Sequence, residues 1–196
     1  MKVSAVDAIQ DHLRRSADAK LRTASACAPS IEKAATLIAG AFTAGGKLLI
    51  CGNGGSAADA QHFAAEFVCR LTGDFERPGL PALALTTDSS VLTAYANDYD
   101  FHGVFARQVQ ALGKRGDVLF GISTSGSSRN VVAAVAEARR VGMAVVTLRG
   151  DRGVLPEQAD VAIAVPEAVT AHIQEVHLAI EHIICHLVER LVAEER

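Results

Sequence analysis

Tryptophan is absent from this chain of 196 residues, and aromatic side chains make up only 5% of it. Whatever ligand it binds must be held without an aromatic platform. The 49% apolar content is instead mostly Ala, Val, Leu and Ile, a composition suited to closely packed helices and buried parallel strands. Proline is scarce, with five residues, and no Gly-X-Y period exists, so neither collagen nor a disordered chain fits so apolar a sequence. No excess of positive charge is present: 22 Asp+Glu outnumber 19 Lys+Arg, for a net charge of -3, which argues against nucleic acid as a ligand held by its phosphates. Cys27, Cys51, Cys69 and Cys185 form no CxxC pair, which excludes a zinc knuckle or a thioredoxin-type motif. No run approaches the roughly 18 apolar residues of a membrane span, and the charged N-terminus lacks a signal peptide's apolar core. A cytoplasmic protein with one domain over residues 1–196 is expected, with no membrane partner.

Apolar spacing predicts two leading helices. The first, from Val3 to about Cys27, carries Val6, Ile9, Leu13, Ala17 and Leu21 on one face; the second starts at Pro29 and stops at Gly45-Gly46. Five short apolar runs follow, at residues 47–51, 81–85, 117–122, 144–148 and 160–165, each suited to a strand buried on both faces. Helical stretches are expected over Ser56–Leu71, Ser89–Ala96, Phe101–Leu112 and Ser127–Val141, and a long last helix from Thr170 to Glu195. Strand alternating with helix implies right-handed crossovers and a parallel sheet covered on both faces.

Two strand ends carry chemistry. The first runs into Cys51-Gly52-Asn53-Gly54-Gly55-Ser56, a glycine-rich turn opening a helix, where free amides and the helix dipole attract an anion. The same residues read as a plain tight turn, or through Gly52-x-Gly54-x-x-Ala57 as a dinucleotide fingerprint. A nicotinamide oxidoreductase would, however, need a catalytic domain for which the chain has no room. The third strand delivers Ser123-Thr124-Ser125-Gly126-Ser127-Ser128, hydroxyls and amides able to hold a phosphate without a metal. Ligands of open parallel sheets collect at this carboxyl edge, so two such turns point to one site.

His62 and Glu66 stand four residues apart on the helix after the glycine turn, with Arg70 continuing the stripe. An exposed ion-paired face has the same spacing. The residues between are apolar nearly all round, which predicts a mostly buried helix whose charges are paired, metal-bound or functional. The last helix gathers His172, Gln174, Glu175, His177, Glu181, His182 and His186. Gln174 and His182 are separated by a rise of roughly 12 Å, so if both serve metal sites, copies of this helix from different subunits contribute.

With these residues in view, the sequence resembles the phosphoheptose isomerases of the sugar isomerase (SIS) superfamily over nearly its whole length. The resemblance rests on CGNGGSAADAQHFAAEF (51–67), ALTTDSSVLTAYANDY (84–99), GDVLFGISTSGSSRNV (116–131) and IQEVHLAIEH (173–182). It implies an α/β fold with a five-stranded parallel sheet in a three-layer, flavodoxin-like αβα sandwich, residues 1–45 serving as a helical extension for oligomer packing. It implies a homotetramer with sites at subunit interfaces, converting sedoheptulose 7-phosphate to D-glycero-D-manno-heptose 7-phosphate through an enediolate, toward bacterial nucleotide-heptoses. Glu66 and His182 would be catalytic, and His62, Glu66, Gln174 and His182 would hold one zinc ion per subunit, without a nucleotide cofactor. Substrate contacts would come from Asn53, Gly54, Gly55, Ser56, Glu66, Arg70, Asn97, Asp98, Ser123, Thr124, Ser125, Ser128 and Gln174. Two departures stand out: Ala171-His172 before the Ile-Gln-Glu segment, and a shortened LRGDRGVLPEQAD stretch (148–160). A non-catalytic branch of the superfamily, associated with the replication initiator, lacks the glutamate and the terminal histidine that this chain keeps as Glu66 and His182.

Overall fold

A computed structural model describes residues 4–155 and 159–194. Val3, Glu195 and residues 156–158 of the shortened stretch, all within sequence expectations above, lie outside the described residues. The chain runs α1 (Ala5–Thr43), β1 (Leu48–Cys51), α2 (Gly55–Val68), β2 (Ala82–Ala84), α3 (Ser89–Asp98), α4 (Val104–Leu112), β3 (Val118–Ser123), α5 (Arg129–Val141), β4 (Ala144–Gly150), β5 (Val161–Val165) and α6 (Thr170–Glu194). All five strands are parallel, in the order β2-β1-β3-β4-β5, which is the flavodoxin-like order expected.

Alternation along the strands makes the three layers. Leu48, Ile50, Val118, Phe120 and Ile122 point into a core shared with α1, α2 and α6, while Leu49, Cys51 and Leu119 point into one shared with α4 and α5. At the amino edge of the sheet, the buried Asp117 carboxylate accepts from the backbone amides of Lys47 (3.0 Å) and Lys114 (2.9 Å), and pairs with the Lys47 ammonium. This tie fixes the feet of β1 and β3 and leaves their other ends for the ligand.

The two leading helices are one. Pro29 lies inside the 39-residue α1, where it removes a ladder hydrogen bond at a usual cost of about 3 kcal/mol. Burial overrides that cost. The stripe Ala19, Thr23, Cys27, Ile31, Ala34, Ala35, Ile38 and Phe42 passes through the proline without a break. On either side of it, Cys27 Sγ donates to the Ala164 carbonyl (3.2 Å) and Lys33 Nζ to the Asp160 carbonyl (3.2 Å), pinning the helix to β5 and the turn before it. The expected apolar face is real but faces outward: Val6, Ile9, Leu13 and Leu21 are 60–69% exposed.

The histidines of the last helix sit at different depths. His172 and His177 are buried, and His186 alone of the four is exposed. Burial pushes the His177 imidazole down to about 4, offset only in part by the Arg149 backbone at a geometry too poor for either ring nitrogen to be hydrogen-bonded. Because the folded value lies below the ordinary 6.5, stability from the neutral ring is complete above pH 6.5 and is lost as the pH falls from there to about 4. His177→Leu should therefore shrink the difference in unfolding free energy between pH 7.5 and pH 4 by about 3 kcal/mol, measured by urea titration at both values.

Candidate active site

At the carboxyl edge, β1 and β3 are neighbours whose following connections leave in opposite directions, so a crevice opens between them. The glycine turn lines one side. Gly54 takes φ +57°, open to glycine, and a Cβ on Gly52 would lie 2.7 Å from the Ser56 carbonyl oxygen, so both positions need glycine for the sharp entry into α2. The serine turn lines the other side. Ser123 Oγ lies 2.9 Å from Ser128 Oγ and 3.3 Å from Ser125 Oγ, the Ser127 amide donates to Ser125 Oγ, and Gly126 turns the chain at φ +65°.

Asn53 and Asn130 join the two sides. Each side-chain amide donates to the other's carbonyl oxygen at 2.8 Å, so the first turn of α5 is clamped to the loop before α2. Beside this clamp a cleft of about 400 Å³ is lined by Asn53, Phe101, His102, Ser128, Arg129 and Asn130. Phe101, His102, Arg129 and Asn130 escaped the sequence reading. Phe101, 54% exposed in the α3–α4 connection, marks one wall of this cleft.

His62 and Glu66 lie on α2 and His182 on α6, and the packing of these helices brings them together. His62 Nε2 is 2.8 Å from His182 Nε2 and 3.5 Å from Glu66 Oε1, and ligand atoms of all three fall within 4.8 Å of one another. The other carboxylate oxygen, Glu66 Oε2, is buried with no hydrogen-bond partner. Two imidazole nitrogens and a carboxylate with a free buried oxygen are a donor set that could hold a divalent metal ion.

Gln174 sits toward the other end of α2. Its amide donates to both Asp59 carboxylate oxygens at 3.2 Å, and a Cβ on Gly55 would meet that amide at 2.3 Å, so the glycine leaves room for the amide where it reaches Asp59. Asp59 is itself buried; desolvation raises its carboxyl, and the Gln174 hydrogen bond and His62 work against that. Nearby Glu181 is fully buried with both oxygens unpartnered, and burial first, then the Asp59 charge, hold its carboxyl well above the usual range. Neither acid had been assigned a role. At the end of β1, burial pushes the Cys51 thiol to about 12, which excludes it as a nucleophile.

Other expected site residues are not drawn in. The helix expected to reach Leu71 ends at Val68, so Arg70 leaves the His62–Glu66 stripe and pairs with exposed Glu76 at 3.0 Å. Asn97 and Asp98 are exposed at the end of α3, bonded to each other. Ser56 is buried in the first turn of α2, and Thr124 stands half-buried on the serine turn. Nor is α2 buried all round: Ala58 and Ala65 are exposed, and Val68 is 50% exposed.

Comparison with known proteins agrees with this geometry. The SIS domain family model matches residues 12–150. A phosphoheptose isomerase of a Roseiflexus species is 53% identical over 186 residues, covering 94% of this chain and 93% of that protein. One from Thiobacillus denitrificans is 54% identical over 190 residues, covering 95% of each. Among solved structures, phosphoheptose isomerase GmhA from Neisseria gonorrhoeae superposes with a TM-score of 0.89 at 43% identity, covering 95% of this chain and all of that one. A phosphoheptose isomerase from Francisella tularensis gives 0.91 at 39%, covering 96% of this chain and all of that one. With a sheet order, a carboxyl-edge crevice and a His62–Glu66–His182 cluster on that scaffold, the chain belongs to the phosphoheptose isomerase family of SIS-domain proteins.

Proposed function

We propose that this chain interconverts sedoheptulose 7-phosphate and D-glycero-D-manno-heptose 7-phosphate, feeding heptose biosynthesis, and that it works in the cytoplasm, where its four cysteines stay free. The convergence of His62, Glu66 and His182 carries this reading. The serine and glycine turns grip the phosphate with hydroxyls and amides. From Gly55 to His62 the rise along α2 is about 10 Å, so the phosphate and the reacting carbons of one extended sugar occupy different stretches of the same helix face.

Glu66 acts as the base. Its carboxylate removes the proton from C1 of the ketose and returns it to C2, giving the aldose through an enediolate. His182 moves the accompanying proton between the two oxygens, from O1 to O2. His62, Glu66 and His182 would hold a zinc ion, whose chemistry there would be to polarise those oxygens. Gln174 stands a rise of roughly 12 Å before His182 on α6, so it would reach such an ion from a second copy of α6. The outward stripe of α1 supports assembly, and we assign the chain a homotetramer with sites at subunit interfaces.

Incubation with sedoheptulose 7-phosphate, followed by NMR, should show the heptose product; no conversion with or without added zinc overturns the reading. Glu66→Gln and His182→Ala should each abolish detectable turnover while circular dichroism and melting stay close to those of the unaltered chain. Dialysis against a chelator should remove activity, and one equivalent of zinc per chain should restore it. Light scattering should report four chains, and Val6→Asp combined with Leu13→Asp should yield a smaller species with unchanged helix content.

A further inference from the structure

Arg77 lies in the segment between α2 and β2, away from every motif described above, and its side chain is only 5% exposed. Its guanidinium joins two helices. Nη2 donates to the Glu66 carbonyl at 2.8 Å and Nη1 to the Phe67 carbonyl at 2.7 Å, with longer contacts from Nη1 to the carbonyls of Pro78 (3.2 Å) and Cys69 (3.4 Å). Nε donates to Glu189 Oε2 at 3.2 Å. The last carbonyls of α2 have no amide partner within the helix, although that of Phe67 also accepts from the Leu80 amide at 3.0 Å, and the planar fork of an arginine can satisfy several of them from one position. Its charge also suits the negative end of the helix.

Glu189 is 1% exposed and sits on α6 seven residues after His182, two turns along the same face. The backbone held on one side of the guanidinium is that of Glu66 itself, whose side chain belongs to the His62–Glu66–His182 cluster. The carboxylate held on the other side belongs to the helix that carries His182. Removing either partner would strand a buried charge, yet a buried ion pair is weak evidence for stabilisation, because apolar replacements of both partners are often neutral.

We infer that Arg77 and Glu189 are positioning residues: their pair sets the distance between the last turn of α2 and α6, and so holds His62 and Glu66 against His182. The inference rests on the proposed function of that cluster, but its geometry is separable from turnover. A cavity of about 150 Å³ lined by Arg77, Glu189, Pro78, Leu80 and Val192 gives room for unbranched apolar side chains at both positions.

The decisive variant is Arg77→Met with Glu189→Met, which removes the tether without stranding a charge. It should fold and melt like the unaltered chain, bind zinc about 10–100-fold more weakly, and lose kcat while KM for the sugar phosphate changes by less than about twofold. In the crystal structure of the metal-free variant, the His62 Nε2 to His182 Nε2 contact of 2.8 Å should open. Arg77→Lys keeps the cation but not the fork; it should lower zinc affinity and kcat in the same sense, and it decides the question if the double variant does not accumulate. A folded variant with unaltered zinc affinity and the two rings still in contact overturns the positioning role. If the unaltered chain neither binds zinc nor turns the sugar over, the proposed function fails, and the ring contact in the variant crystal still decides this inference.

Discussion

The rest of the site depends on the packing of α6 against α2. At Gly55 a Cβ would occupy the space of the Gln174 amide, so the glycine that opens α2 leaves room for that amide to lie over the first turn and reach Asp59. Once the helices are that close, every residue of chemical interest on α2 finds a partner on α6: Asp59 meets Gln174, and His62 and Glu66 meet His182. The contact is made by residues distant in sequence but matched in period, because parallel helices present successive turns to each other at the same 5.4 Å pitch. A larger residue at position 55 would push the Gln174 amide aside and away from Asp59.

The sheet does the complementary work. Its strand order places the two polar turns beside each other, and the reciprocal Asn53–Asn130 amide pair holds them in that relation. Phosphate-binding turns and the helix cluster thus belong to different parts of the fold. The turns depend on backbone direction at the ends of β1 and β3, whereas the cluster depends on helix packing over one face of the sheet. Both meet on α2, which begins at one and carries half of the other.

How much of this was legible in the sequence follows from which forces decide each feature. The strands were legible because a strand buried on both faces leaves an uninterrupted apolar run, as in Leu48–Cys51 and Val118–Ser123. The i,i+4 relation of His62 and Glu66 is local, and it survived. Their meeting with His182 was expected only through family resemblance, since no local rule sets the packing of α6. Pro29 misled for a physical reason: local preference says stop, and the contacts of Cys27 and Lys33 with the β5 region, distant in sequence, say continue. Arg70 was misplaced because helix ends are weakly encoded, and α2 stops two residues short of it. The outward sense of Val6, Ile9 and Leu13 was invisible, because periodicity reveals that a helix has an apolar face without revealing what that face meets.

That outward face carries a thermodynamic consequence. Val6, Ile9 and Leu13 stand on the first three turns of α1, ahead of the first buried residue, Ser16, so little of the chain's own core supports them. A segment of this kind gains its order from whatever covers it. Where another copy does so, the free energy of that contact enters the folding equilibrium by mass action, and resistance to unfolding becomes a function of how much protein is present. Dilution alone would then lower the melting temperature and fray α1 from its amino end, while the sheet and the α2–α6 pairing, closed within one chain, would be the last parts to yield.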